Sequence, residues 1–155
     1  MIQRIQSLYL LLILLFSVIL LSSNILTFSG AGNEIIQLGF RDITGKGSNI
    51  NELTRLYLKI FIILGIILAV LSLISVFLYS NRKLQGKMVL AAVINAVLLC
   101  VIQLIMVINF IGNGDYRLIP GPGIILPLLM VILAVLARRG IRRDERLVSS
   151  YERLR

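Results

Sequence analysis

Three neutral amides, Asn95, Gln103 and Asn109, are the polar side chains that stand out in the third apolar stretch of this 155-residue chain. At about 100° per helical residue they fall near 0°, 80° and −40°, on a single face about 120° wide. An unpaired amide in hydrocarbon costs several kcal/mol, so that face must look into protein. The ordinary consequence is hydrogen bonding between helices, worth about 0.6–2 kcal/mol each. The functional alternative is a polar lining for a lipid headgroup or a small solute. Catalysis is poorly served. The chain has no histidine, which excludes histidine-dependent hydrolysis and a His-ligated haem or metal. Cys100, the single cysteine, excludes a cysteine-pair oxidoreductase and any intrachain disulfide. No Asp, Glu, Lys, Arg or His lies within the apolar stretches, so a proton-coupled carrier built on a buried carboxylate is not expected. The loop acids Glu34, Asp42 and Glu52 read as ordinary solvation of a surface segment. No catalytic residue, metal ligand or cofactor is therefore assigned, and a non-enzymatic protein is expected.

Four charge-free apolar stretches would position those amides: Ile5–Phe28, Ile60–Asn81, Met88–Ile111 and Leu118–Ala137. Each has about 20 residues or more, enough at about 1.5 Å per residue to cross a hydrocarbon core of about 30 Å. A composition 58% hydrophobic and 15% charged would leave a soluble fold too little polar surface to cover its core. The expected class is all-α, an integral membrane bundle of four transmembrane helices over residues 1–137. A basic amphipathic tail, 138–155, follows it. The first stretch far exceeds the roughly 7–15 residues of a signal-peptide core and should be retained as a span. Between the first two stretches, residues 29–59 form a loop in which Ile36, Leu38 and Phe40 alternate with Gln37, Gly39 and Arg41, a strand pattern. Thr44–Gly47 reads as a turn, and Asn49 with Glu52 resembles a capping box that starts the second helix near Ile50. The loop is too short to bury a core of its own, so it should lie against the helix ends or another protein. Residues 81–87 read as a tight hairpin between the second and third helices.

Charge then orients the bundle. Of the sixteen Lys and Arg residues that give a net charge of +9, Arg4, Arg82, Lys83, Lys87, Arg138, Arg139, Arg142, Arg143, Arg146, Arg153 and Arg155 fall on one side of a four-span bundle. Arg41, Lys46, Arg55, Lys59 and Arg117 fall on the other. By the positive-inside rule both termini are cytoplasmic and the 29–59 loop is extracytoplasmic. Gly65, Ala69 and Ser72 on the second helix, and Ala92 and Ala96 on the third, are small residues at spacings that let helices approach closely. Packing within the helical hairpin is the ordinary reading; a seam between copies is the alternative. Leu118–Gly123, with two prolines and two glycines, opposes regular helix, so the fourth helix should begin near Gly123, with its prolines at the interface.

In the tail, Leu147, Val148, Tyr151 and Leu154 cluster on one helical face, opposite Arg138, Arg139, Arg142, Arg146 and Arg153. Together with Arg4 and Arg143, these arginines suit the anionic headgroups of a cytoplasmic leaflet. The apolar face persisting to Leu154 suits docking on another membrane protein. Nucleic acid is not an expected partner, since only Tyr151 offers a stacking ring.

The opening Met1–Leu12, MIQRIQSLYLLL, and the closing Ala137–Arg155, ARRGIRRDERLVSSYERLR, resemble the two ends of a Bacteroidota family of small four-helix membrane proteins, domain of unknown function 4293. The resemblance implies a bacterial inner-membrane location and no activity. The recognisable segments, Met1–Leu12 and Arg138–Arg155, both lie at the cytoplasmic face in the topology that the charges give, which a shared contact surface would account for. The expected function is that of an accessory or scaffold subunit of a larger inner-membrane complex, for which envelope biogenesis or protein export would be suitable settings. The alternative is a lipid or small-solute binder or transporter using the third-helix amides and the Pro120–Gly123 break.

Overall fold

The first helix stops at Ser22, although the apolar run continues to Phe28. The Ser22-Ser23-Asn24 sequence explains the break, because short polar side chains compete for the backbone bonds a helix needs. A computed structural model describes residues 3–30, 35–40, 43–44, 52–78, 81–112 and 116–153, with side chains described at 5–30, 35–40, 43–44, 52–78, 81, 84–112 and 116–144. Its elements are α1 (Gln3–Ser22), β1 (Leu26–Ser29), β2 (Ile35–Leu38), β3 (Ile43–Thr44), α2 (Glu52–Phe77), α3 (Arg82–Gly112), β4 (Arg117–Ile119) and α4 (Pro122–Arg153). All four helices are long and apolar enough to cross a membrane, which supports a membrane-associated protein. Each helix packs on its neighbours in sequence, and α4 closes the ring on α1.

The all-α expectation needs correcting. Helices dominate, but the loops at one end of the bundle pair into a four-stranded antiparallel sheet of order β3-β2-β1-β4. Leu26 lies opposite Leu38, Phe28 opposite Ile36 on one side and Leu118 on the other. Leu26, Phe28, Ile36 and Leu38 are all fully buried. One face of the sheet is therefore apolar and covers the helix ends, while Thr27, Gln37 and Thr44 lie on the other. The Phe28 ring stacks on Phe110 of α3, with centroids 4.3 Å apart, and Tyr116 meets Phe110 edge-on. The loop has no core of its own and borrows one from the bundle. The strand anticipated at Ile36–Phe40 corresponds to β2; it pairs with β3 and with β1, which comes from the end of the first apolar run, and β1 pairs in turn with β4 at the start of the fourth.

At the opposite end, α3 begins at Arg82, so most of the segment read as a hairpin is helical. Asn81 is its N-cap: its side chain accepts from the Leu84 amide and its carbonyl from the Gln85 amide. Gln85 in turn donates to the Ser75 carbonyl at 3.0 Å, one of the four carbonyls that α2 leaves without helical partners at its C-terminus. The Asn49 half of the expected capping box and the Gly45–Gly47 part of the expected turn lie outside the described residues. α2 starts at Glu52.

Candidate functional site

The three amides of α3 all find protein partners. Asn95 Nδ2 donates to the Leu64 carbonyl of α2 at 2.9 Å, and Asn109 Nδ2 to the Ile105 carbonyl of its own helix at 2.9 Å. Gln103 has the most particular role. Pro127 sits inside α4 and has no N–H to offer the carbonyl four residues earlier, which is that of Gly123. Gln103 Nε2 donates to that same carbonyl at 2.8 Å, so the amide supplies the bond the proline removes. Gly123 is also pressed against the α1–β1 junction: a Cβ on it would lie 2.1 Å from the Ile25 carbonyl oxygen. α4 begins at Pro122, a position where a missing N–H breaks no helical bond. Regular helix thus starts as the sequence suggested, and the strand β4 occupies the first part of the expected fourth span.

The small residues face inward. Gly65 is buried against Leu21 of α1, where a Cβ would come within 3.3 Å of Leu21 Cδ2. Ser72 is fully buried and donates to the Ala69 carbonyl. Ala92 and Ala96 are buried in the core, and Ala69 is half-buried. The Gly65 contact is with α1 and not with the hairpin partner α3.

At the end of the bundle bearing the chain termini, two residues that sequence reasoning did not single out are clasped together. Gln6 Nε2 of α1 donates to Asp144 Oδ2 of α4 at 2.7 Å, with both side chains more than 90% buried. Gly140, one turn before Asp144, makes room for it, since a Cβ there would lie 2.9 Å from Gln6 Cγ. The only sequence signal was an acid and a glycine set among four arginines. Of those, Arg139, Arg142 and Arg143 are exposed and Arg138 is half-buried.

The clasp fixes where α4 leaves the bundle. α1 has only Gln3–Ile5 beyond Gln6, whereas α4 continues as helix from Glu145 to Arg153. From the Gln103–Gly123 contact, counting back along α3 as many residues as separate Gly123 from Asp144 arrives at Arg82, where α3 begins. The last nine residues of α4 therefore run about 13 Å past the start of α3 and about 9 Å past Gln3, the first described residue of α1. The side chains of Arg4, Arg146, Leu147, Tyr151 and Leu154 lie outside the described residues, as does all of Leu154. Chemically, the clasp is a neutral donor on a carboxylate. It positions a helix. The family described as Domain of unknown function (DUF4293) matches residues 2–154. No curated protein matches the chain.

Proposed function

The chain belongs to the DUF4293 family, and from that premise we propose that it is a non-enzymatic scaffold subunit of a larger bacterial inner-membrane complex. In this reading the four helices cross the membrane, both termini are cytoplasmic, and the sheet is extracytoplasmic. The observation that carries it is the projection of α4 beyond the Gln6–Asp144 clasp. A helix meant only to stop in the headgroups has no need of a buried anchor on α1, nor of the apolar sequence periodicity at positions 147, 148, 151 and 154. The anchor sets the direction of the projecting helix, and fixing that direction lowers the ordering penalty of docking. Arg139, Arg142 and Arg143, exposed at its base, suit anionic headgroups at about 1 kcal/mol each. A transporter through the α3 amides is less well supported, because Asn95, Gln103 and Asn109 already donate to backbone carbonyls.

The test is mild-detergent purification of the tagged full chain from its native membrane, with mass spectrometry of what accompanies it. A stoichiometric membrane partner is expected, and it should be lost from a chain truncated after Asp144 while the bundle still melts at an unchanged temperature. Asp144→Leu should behave differently, destabilising the bundle by about 1–3 kcal/mol by leaving a buried donor unpaired. Recovery of the chain alone from membranes where it is natively abundant would end the scaffold reading.

A further inference from the structure

Along α1, Leu11, Leu15 and Val18 are each about half exposed and share one narrow stripe, at about 100° per residue, with the exposed Ser22. From Leu11 to Ser22 is about 16 Å along the axis, close to half of a ~30 Å hydrocarbon core. The stripe does not end on a bare helix terminus. It runs into a groove of about 740 Å³ whose walls are Val18, Leu21, Ser22, Ser23 and Asn24 on one side and Gln37, Gly39, Phe40 and Thr44 on the other. That volume lies within the range of about 300–1,000 Å³ usual for ligand sites.

The lining changes character along the helix direction. Val18, Leu21 and the exposed Phe40 are apolar; beyond them come two serines, a threonine and an amide pair. Asn24 Nδ2 donates to Gln37 Oε1 at 2.9 Å, which leaves an acceptor, Asn24 Oδ1, and donor capacity on Gln37 Nε2. No Asp, Glu, Lys or Arg is among these lining residues. Arg117, on β4, is separated from β2 by β1, Arg55 and Lys59 of α2 are exposed at this end but outside the lining, and the described arginines of α4 are at the far end of the bundle. An anionic headgroup would find no counter-charge among the described residues of the groove.

We propose that this groove holds one phospholipid from the leaflet at the sheet end, with a zwitterionic headgroup. One acyl chain lies along Leu11, Leu15 and Val18, continuous with the apolar belt the helices present to the bilayer. The glycerol-ester region meets Asn24 and Gln37, where an ester carbonyl accepts from the free amide donor and a headgroup ammonium donates to the free acceptor. The inference rests on the membrane-spanning part of the proposed function and is independent of any protein partner.

The probe is a phosphatidylethanolamine with a photoreactive diazirine beside its ester carbonyl, present as a trace in vesicles of phosphatidylethanolamine and phosphatidylglycerol that hold the purified full chain. Labelling is expected to concentrate on residues 18–24 and 37–44. In the double variant Asn24→Leu, Gln37→Leu it should fall about tenfold, the size expected for the loss of one or two hydrogen bonds. The groove-filling Ser22→Phe should do the same, while labelling of the exposed α4 face at Ile125, Leu128 and Ile132 is unchanged in both. Map and variants are independent, so a misfolded variant leaves the wild-type map decisive. Labelling spread evenly over all four helices would overturn the lipid site and leave the spanning bundle intact. Stronger labelling by the matching phosphatidylglycerol probe would overturn the zwitterionic assignment. No labelling of any helix would instead reject the spanning bundle itself.

Discussion

The Gln103 side chain acts as a replacement part for a backbone bond. Pro127 withholds a donor from the Gly123 carbonyl, and an amide on the neighbouring helix supplies it. Gln103→Leu should therefore lower stability in detergent by about 1–3 kcal/mol, the usual penalty for an unsatisfied buried acceptor. In a Pro127→Ala background, where residue 127 regains its N–H, that loss should shrink by about 1 kcal/mol or more. Equal losses in both backgrounds, measured by chemical unfolding, would refute the coupling. Two glycines in the same turn give a second contrast. At Gly123 a Cβ would meet the Ile25 backbone at 2.1 Å, whereas at Gly121 nothing lies within 4 Å. Gly123→Ala should destabilise by about 1–3 kcal/mol or more, as overpacking against backbone does. Gly121→Ala should be tolerated, and thermal melts of the two variants separate the cases.

Among the elements, the sheet depends on the bundle. Leu26, Phe28, Ile36 and Leu38 bury one face on the helix ends, so the strands should lose protection when that contact is cut. Phe28→Ala removes the ring stacked on Phe110 and should cost about 3–5 kcal/mol. Amide hydrogen exchange should speed up across residues 26–38 and 117–119. Ile35→Ala, on the exposed side of the same sheet, should stay within about 0.5 kcal/mol. The same element logic holds at the other end: Asn81, Gln85 and Ser75 tie α2 to α3 through caps, and Gln6 with Asp144 ties α1 to α4.

For the molecule as a whole, the helix ring places Asn81 and Thr44 at opposite ends of the bundle, and both are exposed. In a Cys100→Ser background, Thr44→Cys should react with an impermeant thiol reagent added to intact cells. Asn81→Cys should react only after the membrane is permeabilised. The reverse pattern would invert the proposed orientation, and reaction at both sites in intact cells would deny that the bundle spans the bilayer.

Much of this was legible in the residues. Four long uncharged runs specify four helices, because no other local structure satisfies so much apolar backbone in hydrocarbon. The Pro120–Gly123 punctuation marked where α4 begins to within a residue. Sequence periodicity also put the α3 amides on one face, since a helix fixes the angle between its residues; Asn95 and Gln103 reach neighbouring helices from it, while Asn109 bonds within α3. Periodicity could not find what lies between helices. The end of the first run reads as helix because a short buried strand and a buried helix are equally apolar, and Leu118–Ile119 reads only as opposing helix; pairing across about ninety residues, β1 with β4, is what makes both of them strands. Gln6, Gly140 and Asp144 are unremarkable in one dimension, and become a clasp only when α4 folds back onto α1. Chain-local physics set the helices and their faces; long-range contact alone chose the partners of Gln103 and Gln6, the sheet over the helix ends, and the groove beside it.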